Sequence, residues 1–452
     1  MDTIDRLLGI YRDSAGVSID TRTLRPKEIF FALRGPNFDG NRYARQALDA
    51  GAAHVVVDAD AENGSVDAAV AGDPRVTKVA DALTALQDLA RAYRRTLTCP
   101  VVALTGSNGK TTTKELLAAA LAVSYEVSHT RGNLNNHIGV PLTLLRAPRS
   151  AEIVVVEMGA NHRREIAALC EIAEPTHGLI TNVGRAHLEG FGGEEGVRIG
   201  KGELFDYLGR AGGAAFVDAA DATVAEMSER VARRLVFASG PPATLARRSG
   251  GEYLAVGTLT QAYPQVLAQA ELADGTTLAL RLQLPGHHNY RNAMAAVAVA
   301  SYFKAEPAAL AQALAAYAPR DSRSETRRVG RATVLLDAYN ANPDSMAAAL
   351  SWLSNRTERE RFAVLGEMAE LGASAKTEHA ALLRRARESL GEGRVAVLGD
   401  AYRGLDRAQL DGVRVCADIE ALRAWFGERT AREGAVVLVK GSRSNRLERL
   451  LD

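Results

Sequence analysis

Val101-Val102-Ala103-Leu104-Thr105-Gly106-Ser107-Asn108-Gly109-Lys110-Thr111-Thr112-Thr113 decides how the rest of this chain is read. An apolar strand runs into a glycine-rich turn, the turn into Lys-Thr, and a helix is expected over residues 114–123. Glycines let the backbone turn tightly, so that successive N–H groups converge on a polyphosphate at the positive end of the following helix. Lys110 adds charge there, and Thr111 offers a hydroxyl to Mg²⁺. The common phosphate-loop pattern places glycine six residues before the lysine; Leu104 stands at that position, so this is the shorter T-G-x-x-G-K-T form, and Thr105 to Thr112 form the candidate ATP cradle.

A chain of 452 residues exceeds one ordinary core, so two or three domains are expected. Its 55 Lys+Arg against 54 Asp+Glu leave a formal charge of +1, which gives no general reason to expect nucleic acid or an acidic membrane surface. An anionic substrate then needs a local basic site. Cys99, Cys170 and Cys416 are odd in number and far apart, which points to neither a disulfide framework nor a C-x-x-C metal site but to reduced thiols. Met1-Asp2-Thr3-Ile4-Asp5 carries acids where a signal peptide needs bases, and no apolar run approaches the roughly 18 residues of a membrane span. A cytoplasmic protein without membrane insertion is expected.

Outward from the cradle the chain alternates strand and helix. Upstream, strands at 28–33 and 54–57 flank a helix at 43–50, a polar loop is expected over 64–72, and a helix over 81–96 leads into the cradle strand. Downstream follow strand 153–156, helix 163–172, strand 179–182 and helix 197–208, the beat of a mainly parallel sheet covered on both faces. Residues 254–284 alternate without helices and read as an antiparallel addition; 290–302 reads as a helix, and 319–323 as a polar connector. Strands at 333–337, 362–365, 395–398 and 436–439 then repeat the alternation, with no G-x-G-x-x-G after the first, so dinucleotide binding is not expected. The reading is an α/β protein of three domains: 1–80, a small α/β unit; 81–318, the phosphate-loop sheet; 319–452, a Rossmann-like sheet.

Three further residues stand where strand ends meet a ligand crevice or beside it. Glu157 closes an apolar strand, where a carboxylate can hold Mg²⁺ beside the Thr111 hydroxyl. His187 follows the next strand in the same topological position. Lys201, on composition alone, is an ordinary helix lysine. Asn289 and Asn292 lie three apart on one side of a helix start, and Asn289 is also suited to cap it.

Further motifs occur in a fixed order: Gly132-Asn133-Leu134-Asn135-Asn136-His137, Glu157-Met158-Gly159-Ala160, Thr181-Asn182-Val183-Gly184-Arg185-Ala186-His187-Leu188, Gly200-Lys201-Gly202-Glu203 and Gly286-His287-His288-Asn289-Tyr290-Arg291-Asn292. Asp337-Ala338-Tyr339-Asn340-Ala341-Asn342-Pro343, Leu365-Gly366-Glu367-Met368 and Val439-Lys440-Gly441-Ser442-Arg443 complete the series. Together with the short cradle, this series resembles the Mur ligases, with the folylpolyglutamate synthases as cousins: enzymes that join a carboxylate to an amine at the expense of ATP. The resemblance implies Lys110, Glu157, His187 and Lys201 as catalytic residues, with Thr111, Glu157, His187 and a carbamylated Lys201 holding two Mg²⁺ ions. It implies Asn289 and Asn292 near adenine, and Arg323 and Asp337 reaching ATP from the last domain. For the nucleotide-sugar it implies Thr21 and Arg22 of Asp20-Thr21-Arg22, Asp39 and Gly40, and, nearer the reacting carboxylate, Asn133, Asn135, Asn136 and His137, with Tyr339, Asn340 and Asn342 opposite. The implied partners are UDP-N-acetylmuramoyl-tripeptide and D-alanyl-D-alanine, and a monomer is expected. A sister ligase adding a single amino acid, a folylpolyglutamate synthase and a nucleotide switch that merely binds are the alternatives. The lack of a D-N-P-R motif and of N-K-x-D speaks against the first and the last.

Overall fold

The computed structural model describes residues 2–62, 70, 72–240, 250–319 and 323–451. Most of the loop expected over 64–72 and residues 320–322 of the connector lie outside the described residues. Three sheets organise the chain. The first is parallel and runs in chain order, Val17–Ser18, Ile29–Phe31, His54–Asp58 and Val76–Val79. Its strands alternate strictly. Ile29, Phe31 and Val56 face a core shared with helices Thr3–Asp13 and Ala82–Arg94, whereas Phe30, Val55 and Val57 face a small core under helix Ala44–Asp49. Helix Ala82–Arg94 is started by Asp81, whose carboxylate accepts from the Thr84 N–H at 2.6 Å, and its buried stripe ties this sheet to the next.

The central sheet has nine strands in the order Thr277–Leu282, Val266–Leu272, Glu252–Gln261, Arg233–Ala238, Ala214–Asp218, His177–Ile180, Val101–Thr105, Ile153–Glu157, Val127–His129. Seven pair in parallel, and the expected antiparallel addition is the pair of strands hung on Glu252–Gln261. Val101–Thr105 and Ile153–Glu157 are buried at every position, as strands covered on both faces must be. Val102, Leu104, Ile153 and Val155 pack under helices Lys110–Leu121 and His287–Tyr302, and Val101, Ala103, Val154 and Val156 pack on the opposite core. Cradle and Glu157 therefore share one edge of the sheet, the carboxyl ends of adjacent strands.

The last sheet runs Glu325–Val329, Ala332–Asp337, Val436–Lys440, Arg361–Gly366, Val395–Leu398, Val413–Cys416, parallel except for its first strand. Asp337 and Lys440 end neighbouring strands in register, so their side chains meet at that sheet's carboxyl edge. No helix among the described residues is long and apolar enough to cross a membrane.

Candidate active site

The cradle helix starts at Lys110, four residues earlier than the sequence reading placed it, because Gly109 takes the left-handed N-cap conformation at φ 79°. Gly106 sits at φ 145°. A Cβ there would lie 2.0 Å from the Thr181 hydroxyl, and one on Gly109 would lie 2.5 Å from the Asn292 amide oxygen, so both positions need glycine for space as well as for conformation. The loop is stitched to the segment after strand His177–Ile180: Asn182 accepts from the Asn108 N–H at 3.1 Å and donates to the Asn108 carbonyl at 2.9 Å, while the Ser107 hydroxyl donates to the Gly184 carbonyl at 3.0 Å. Lys110 folds onto its own loop, donating to the Gly106 and Ser107 carbonyls at 2.6 and 3.2 Å. Burial pulls its pKa down, against the attraction of Glu157.

Glu157 ends its strand 1% exposed. One carboxylate oxygen accepts from Thr111 Oγ1 at 3.1 Å and from the Asn135 amide at 2.8 Å; the other, Oε2, is buried without a hydrogen-bond partner, with Lys114 Nζ 3.9 Å away. A buried carboxylate oxygen left unsatisfied is costly. A hydroxyl and a carboxylate of this kind, completed by phosphate and water oxygens, are what Mg²⁺ takes, and no group of three or more His, Cys, Asp or Glu suited to a metal occurs among the described residues. The residues fit the ion through Thr111 and Glu157. His187 is differently engaged: it sits at φ 54°, and its Nδ1 bonds a Glu370 carboxylate oxygen from the last domain.

Cradle and last domain close a cavity of about 780 Å³. It gathers Ser107 to Thr112, Asn133, Asn135, Asn136, His137, Glu157, His187, Asn289, Asn292, Arg323, Asp337, Tyr339, Asn340 and Asn342, nearly all the candidates of the central and last domains. Asn136 also accepts from the Ile138 and Gly139 N–H groups, at 3.1 and 2.9 Å, where helix Gly139–Arg146 begins. Asn289 does not cap its helix, which begins at His287 after Gly286; it donates instead to the Pro285 carbonyl at 2.8 Å, while Asn292 packs on Gly109. Across the cavity, Asn342 caps helix Pro343–Ser354 and donates to the Asn108 side chain at 2.7 Å. Arg185 joins Asp344 at 3.0 Å and Glu378 at 2.9 Å, and Arg323 stacks 3.5 Å from the Tyr339 ring centroid. Burial alone would raise the pKa of Asp337, yet it is held below the usual range by Lys440 at 2.6 Å and by the Ser324 N–H at 3.1 Å. Lys440, His288, Arg291 and Asp344 line the cavity too, and the sequence reading gave none of them a role.

This geometry can be set beside known proteins. Residues 14–94 match the Mur ligase family catalytic domain, 104–300 the Mur ligase middle domain and 322–443 the Mur ligase glutamate ligase domain. The UDP-N-acetylmuramoyl-tripeptide–D-alanyl-D-alanine ligase of Mycobacterium tuberculosis strain H37Rv is 36% identical over 485 residues, covering 98% of this chain and 92% of that one. The chain belongs to the Mur ligase family. The Bacillus subtilis enzyme of the same name is 35% identical over 374 residues, 80% of this chain and 76% of its own. The crystal structure of MurF ligase from Thermotoga maritima in complex with ADP superposes with a TM-score of 0.81 at 27% identity, over 100% of this chain and 97% of that one.

Lys201 of this Mur ligase lies behind the cavity wall and does not line it. Helix Glu194–Ala211 buries it completely; its Nζ donates to the Ala160 carbonyl at 3.2 Å and sits 5.0 Å from the Phe191 ring centroid. Gly200 lets that ring approach, since a Cβ there would stand 2.3 Å from it. Burial first, then the charge of Lys110, pushes the amine far below the usual lysine range. Thr105 and Gly106 lie beneath the cavity, where the Thr105 hydroxyl donates to the Met158 carbonyl at 2.8 Å. The first-domain candidates are apart from it. Arg22 pairs with Asp20 at 2.6 Å and is 85% exposed, and Asp39 bonds Asn41, which in turn donates to Asp58 at 2.9 Å. Gly40 is needed for closeness, because a Cβ would meet the Leu33 carbonyl at 2.5 Å.

Proposed function

We propose that this Mur ligase joins D-alanyl-D-alanine to the terminal carboxylate of UDP-N-acetylmuramoyl-tripeptide in the cytoplasm, as a monomer, consuming ATP. The observation that carries the reading is the opposition, across one cavity, of Lys110, Thr111 and Glu157 to Arg323, Asp337 and Asn342, in a chain like ligases of that name over nearly its whole length. A tripeptide carboxylate oxygen attacks the γ-phosphorus as the bond to ADP breaks, which gives an acyl phosphate. The dipeptide amine then attacks the acyl carbon, phosphate leaves, and the amine proton is lost. Each step needs charge neutralisation and alignment more than covalent help from the protein.

Lys110 has only to turn from its own loop carbonyls to the β- and γ-phosphates. Thr111 and Glu157 would hold Mg²⁺, which supplies neutralisation of the phosphate charge. Asn133, Asn135, Asn136 and His137 orient the muramoyl peptide; Asn289 and Asn292 frame the adenine; Arg323 and Asp337 complete the ATP site from the last domain. Tyr339, Asn340 and Asn342 face the incoming dipeptide, and Thr21, Arg22, Asp39 and Gly40 serve the nucleotide-sugar. His187 acts at the metal side of the cavity while Glu370 orients its ring. Lys201 is read as carbamylated. Reaction with CO₂ needs a neutral amine, and a fully buried lysine with a strongly lowered pKa supports that state. Bond formation between Nζ and carbon with loss of a proton turns a would-be cation into an anion behind the metal ligands.

One amine panel tests the assignment. With Mg²⁺-ATP and UDP-N-acetylmuramoyl-tripeptide, phosphate release is expected with D-alanyl-D-alanine and little with L-lysine, diaminopimelate or D-alanine. Turnover with a single amino acid and none with the dipeptide overturns it in favour of a sister ligase.

A further inference from the structure

His187 takes its ring contact from another domain, and what holds Glu370 ready for it lies deeper in that domain. Glu370 is near the tip of segment 366–371, which leaves the end of strand Arg361–Gly366 and meets the central domain: its carboxylate bonds His187 and its carbonyl accepts from the Glu189 N–H at 3.3 Å. The side chain is half-exposed, and the backbone sits at φ 60°, a left-handed conformation that is uncommon for a residue with a Cβ and has to be held. The four residues before it supply that hold. The Gly366 carbonyl accepts from the Tyr402 hydroxyl at 3.1 Å, and the Glu367 N–H donates to the Leu398 carbonyl at 3.1 Å. The Met368 N–H donates to His379 Nε2 at 2.9 Å, and the Ala369 N–H to the Ser442 hydroxyl at 3.0 Å.

We propose that His379 is a positioning residue of the reaction, fixing the loop whose Glu370 sets the ring of His187. His379 lies fully buried in the second turn of helix Ala375–Leu390, with the Tyr402 ring edge-on at 4.8 Å. A backbone N–H can only donate, so Nε2 carries a lone pair; Nδ1 then holds the proton and donates to the Ala375 carbonyl at 2.7 Å. Burial lowers its pKa and so favours this neutral form. An apolar side chain would fill the same space, but only an acceptor at Nε2 satisfies the Met368 N–H, two residues before Glu370. The same helix carries Glu378, which reaches Arg185 in the central domain at 2.9 Å, so helix and loop meet that domain together. At the far end, Glu370 is held ionised by its bond to His187 and can only accept, so His187 Nδ1 is the donor. Nε2 of His187, without a partner among the described residues, is left as the free ring nitrogen of a side chain that lines the cavity. The effect on turnover rests on the ligase reading; the chain of contacts does not.

The test compares the whole protein with variants that keep or lose the acceptor. His379→Leu fills the space and leaves the Met368 N–H unpaired, whereas His379→Gln keeps an acceptor near the Nε2 position. In phosphate release stimulated by D-alanyl-D-alanine, kcat is expected to fall about tenfold in His379→Leu at unchanged KM for ATP, and to recover most of that loss in His379→Gln. In a Glu370→Ala background His379→Leu should cost nothing further, because both act through one contact. Nitrogen-15 labelling of the histidines reads the ring of His187 without turnover: Nδ1 is the protonated nitrogen in the native protein and in His379→Gln, and that preference is lost in His379→Leu. Should the leucine variant not fold, His379→Asn, which can still bond Ala375 but falls short of Met368, takes its place in each comparison. An unchanged kcat, losses that add in the double variant, or an unaltered His187 signal overturns the proposal and returns His379 to packing. Failure of the ligase reading would show separately, as phosphate release by the native protein that no amine stimulates, with the imidazole signals still testing the contacts.

Discussion

The two clefts hold their charges in opposite ways. In the catalytic cavity nearly every charge has a partner: Asp337 has Lys440, Arg185 has Asp344 and Glu378, His187 has Glu370, and Glu157 accepts from Thr111 and Asn135. In the cleft between the first and central domains, lined by Arg12, Arg25, Arg131, Arg146 and Arg149, four of the cations have no ion pair among the described residues. Partnered charges in a closed site are fixed before the substrate arrives, which is what charge stabilisation during phosphoryl transfer requires. Unpartnered ones on an exposed cleft are solvated by water and screened by salt. The first arrangement serves chemistry, and removing a charge from it should therefore cost turnover.

The largest effect is expected at the cradle. Lys110→Ala removes a cation whose protein contacts are two carbonyls of its own loop, so the fold should persist while kcat falls by about 10³-fold or more. Single-turnover phosphate release together with a melting curve checks both halves. Near-native turnover at saturating ATP would remove the cradle from the mechanism.

Lys201 comes next, at about 10²-fold or more in kcat for Lys201→Ala. Acetate should restore part of the activity by placing a carboxylate in the vacated space, whereas Lys201→Arg, permanently cationic, should be inactive and not rescued. Mass spectrometry after ¹³CO₂ labelling and trapping reads the carbamate directly. A fully active Lys201→Arg enzyme returns the residue to a packing role against Phe191.

These residues differ in how legible they were. The cradle was readable because glycine turns and the Lys-Thr pair are local chemistry: φ 79° at Gly109 concerns neighbours in sequence. Even so the helix start was placed four residues late, since Lys110 to Thr113 is polar and only the glycine geometry shows that it is helical. Strands Glu325–Val329 and Val413–Cys416 escaped because the first is a charged edge strand and the second alternates too briefly to carry a period. Lys440 could be quoted inside a motif but not given a function: its partner Asp337 is 103 residues away, and only the parallel register of the last sheet joins them. The arginine cleft left no mark in the sequence, because its cations come from four separate elements and the formal charge of the chain cancels them.

Interdomain pairs should matter less than the cradle. Arg185→Ala breaks the contacts to Asp344 and Glu378 on a partly exposed surface, so each lost pair is worth no more than about 1 kcal/mol. The expected result is a rise of up to about tenfold in KM for ATP or the dipeptide, with kcat nearly unchanged, because the pairs align the last domain without touching the reacting atoms. Solution scattering should show a larger radius of gyration for this variant than for the native protein. An unchanged radius and unchanged KM would mean that the remaining interdomain contacts, Asn342 to Asn108 and His187 to Glu370, hold the domains together.

A last effect, on stability and not on turnover, separates the clefts by titration. Burial pushes the imidazoles of His54, His177 and His288 down to about 4, each in a different part of the molecule, and His288 lies in the catalytic cavity. Their unfolded-state value is near 6.5, so the unfolded chain binds these protons first as pH falls. The stability they contribute is complete above about pH 6.5 and is lost between there and about pH 4, by up to about 3 kcal/mol for each imidazole. Asp337, also lowered, adds a further loss at the acid end of that window. The cleft arginines keep their charge throughout and add nothing to the slope. Urea midpoints measured at pH 7.5, 6, 5 and 4.5 should therefore fall steadily. His177→Phe should flatten part of the fall, because the ring sits among Phe216, Tyr302 and Phe303 and an apolar ring suits that setting at every pH. Stability that stays constant down to pH 4.5 would mean that these histidines reach water in the folded protein, and would remove the contrast between a cavity whose buried groups resist protonation and a cleft whose charge never changes.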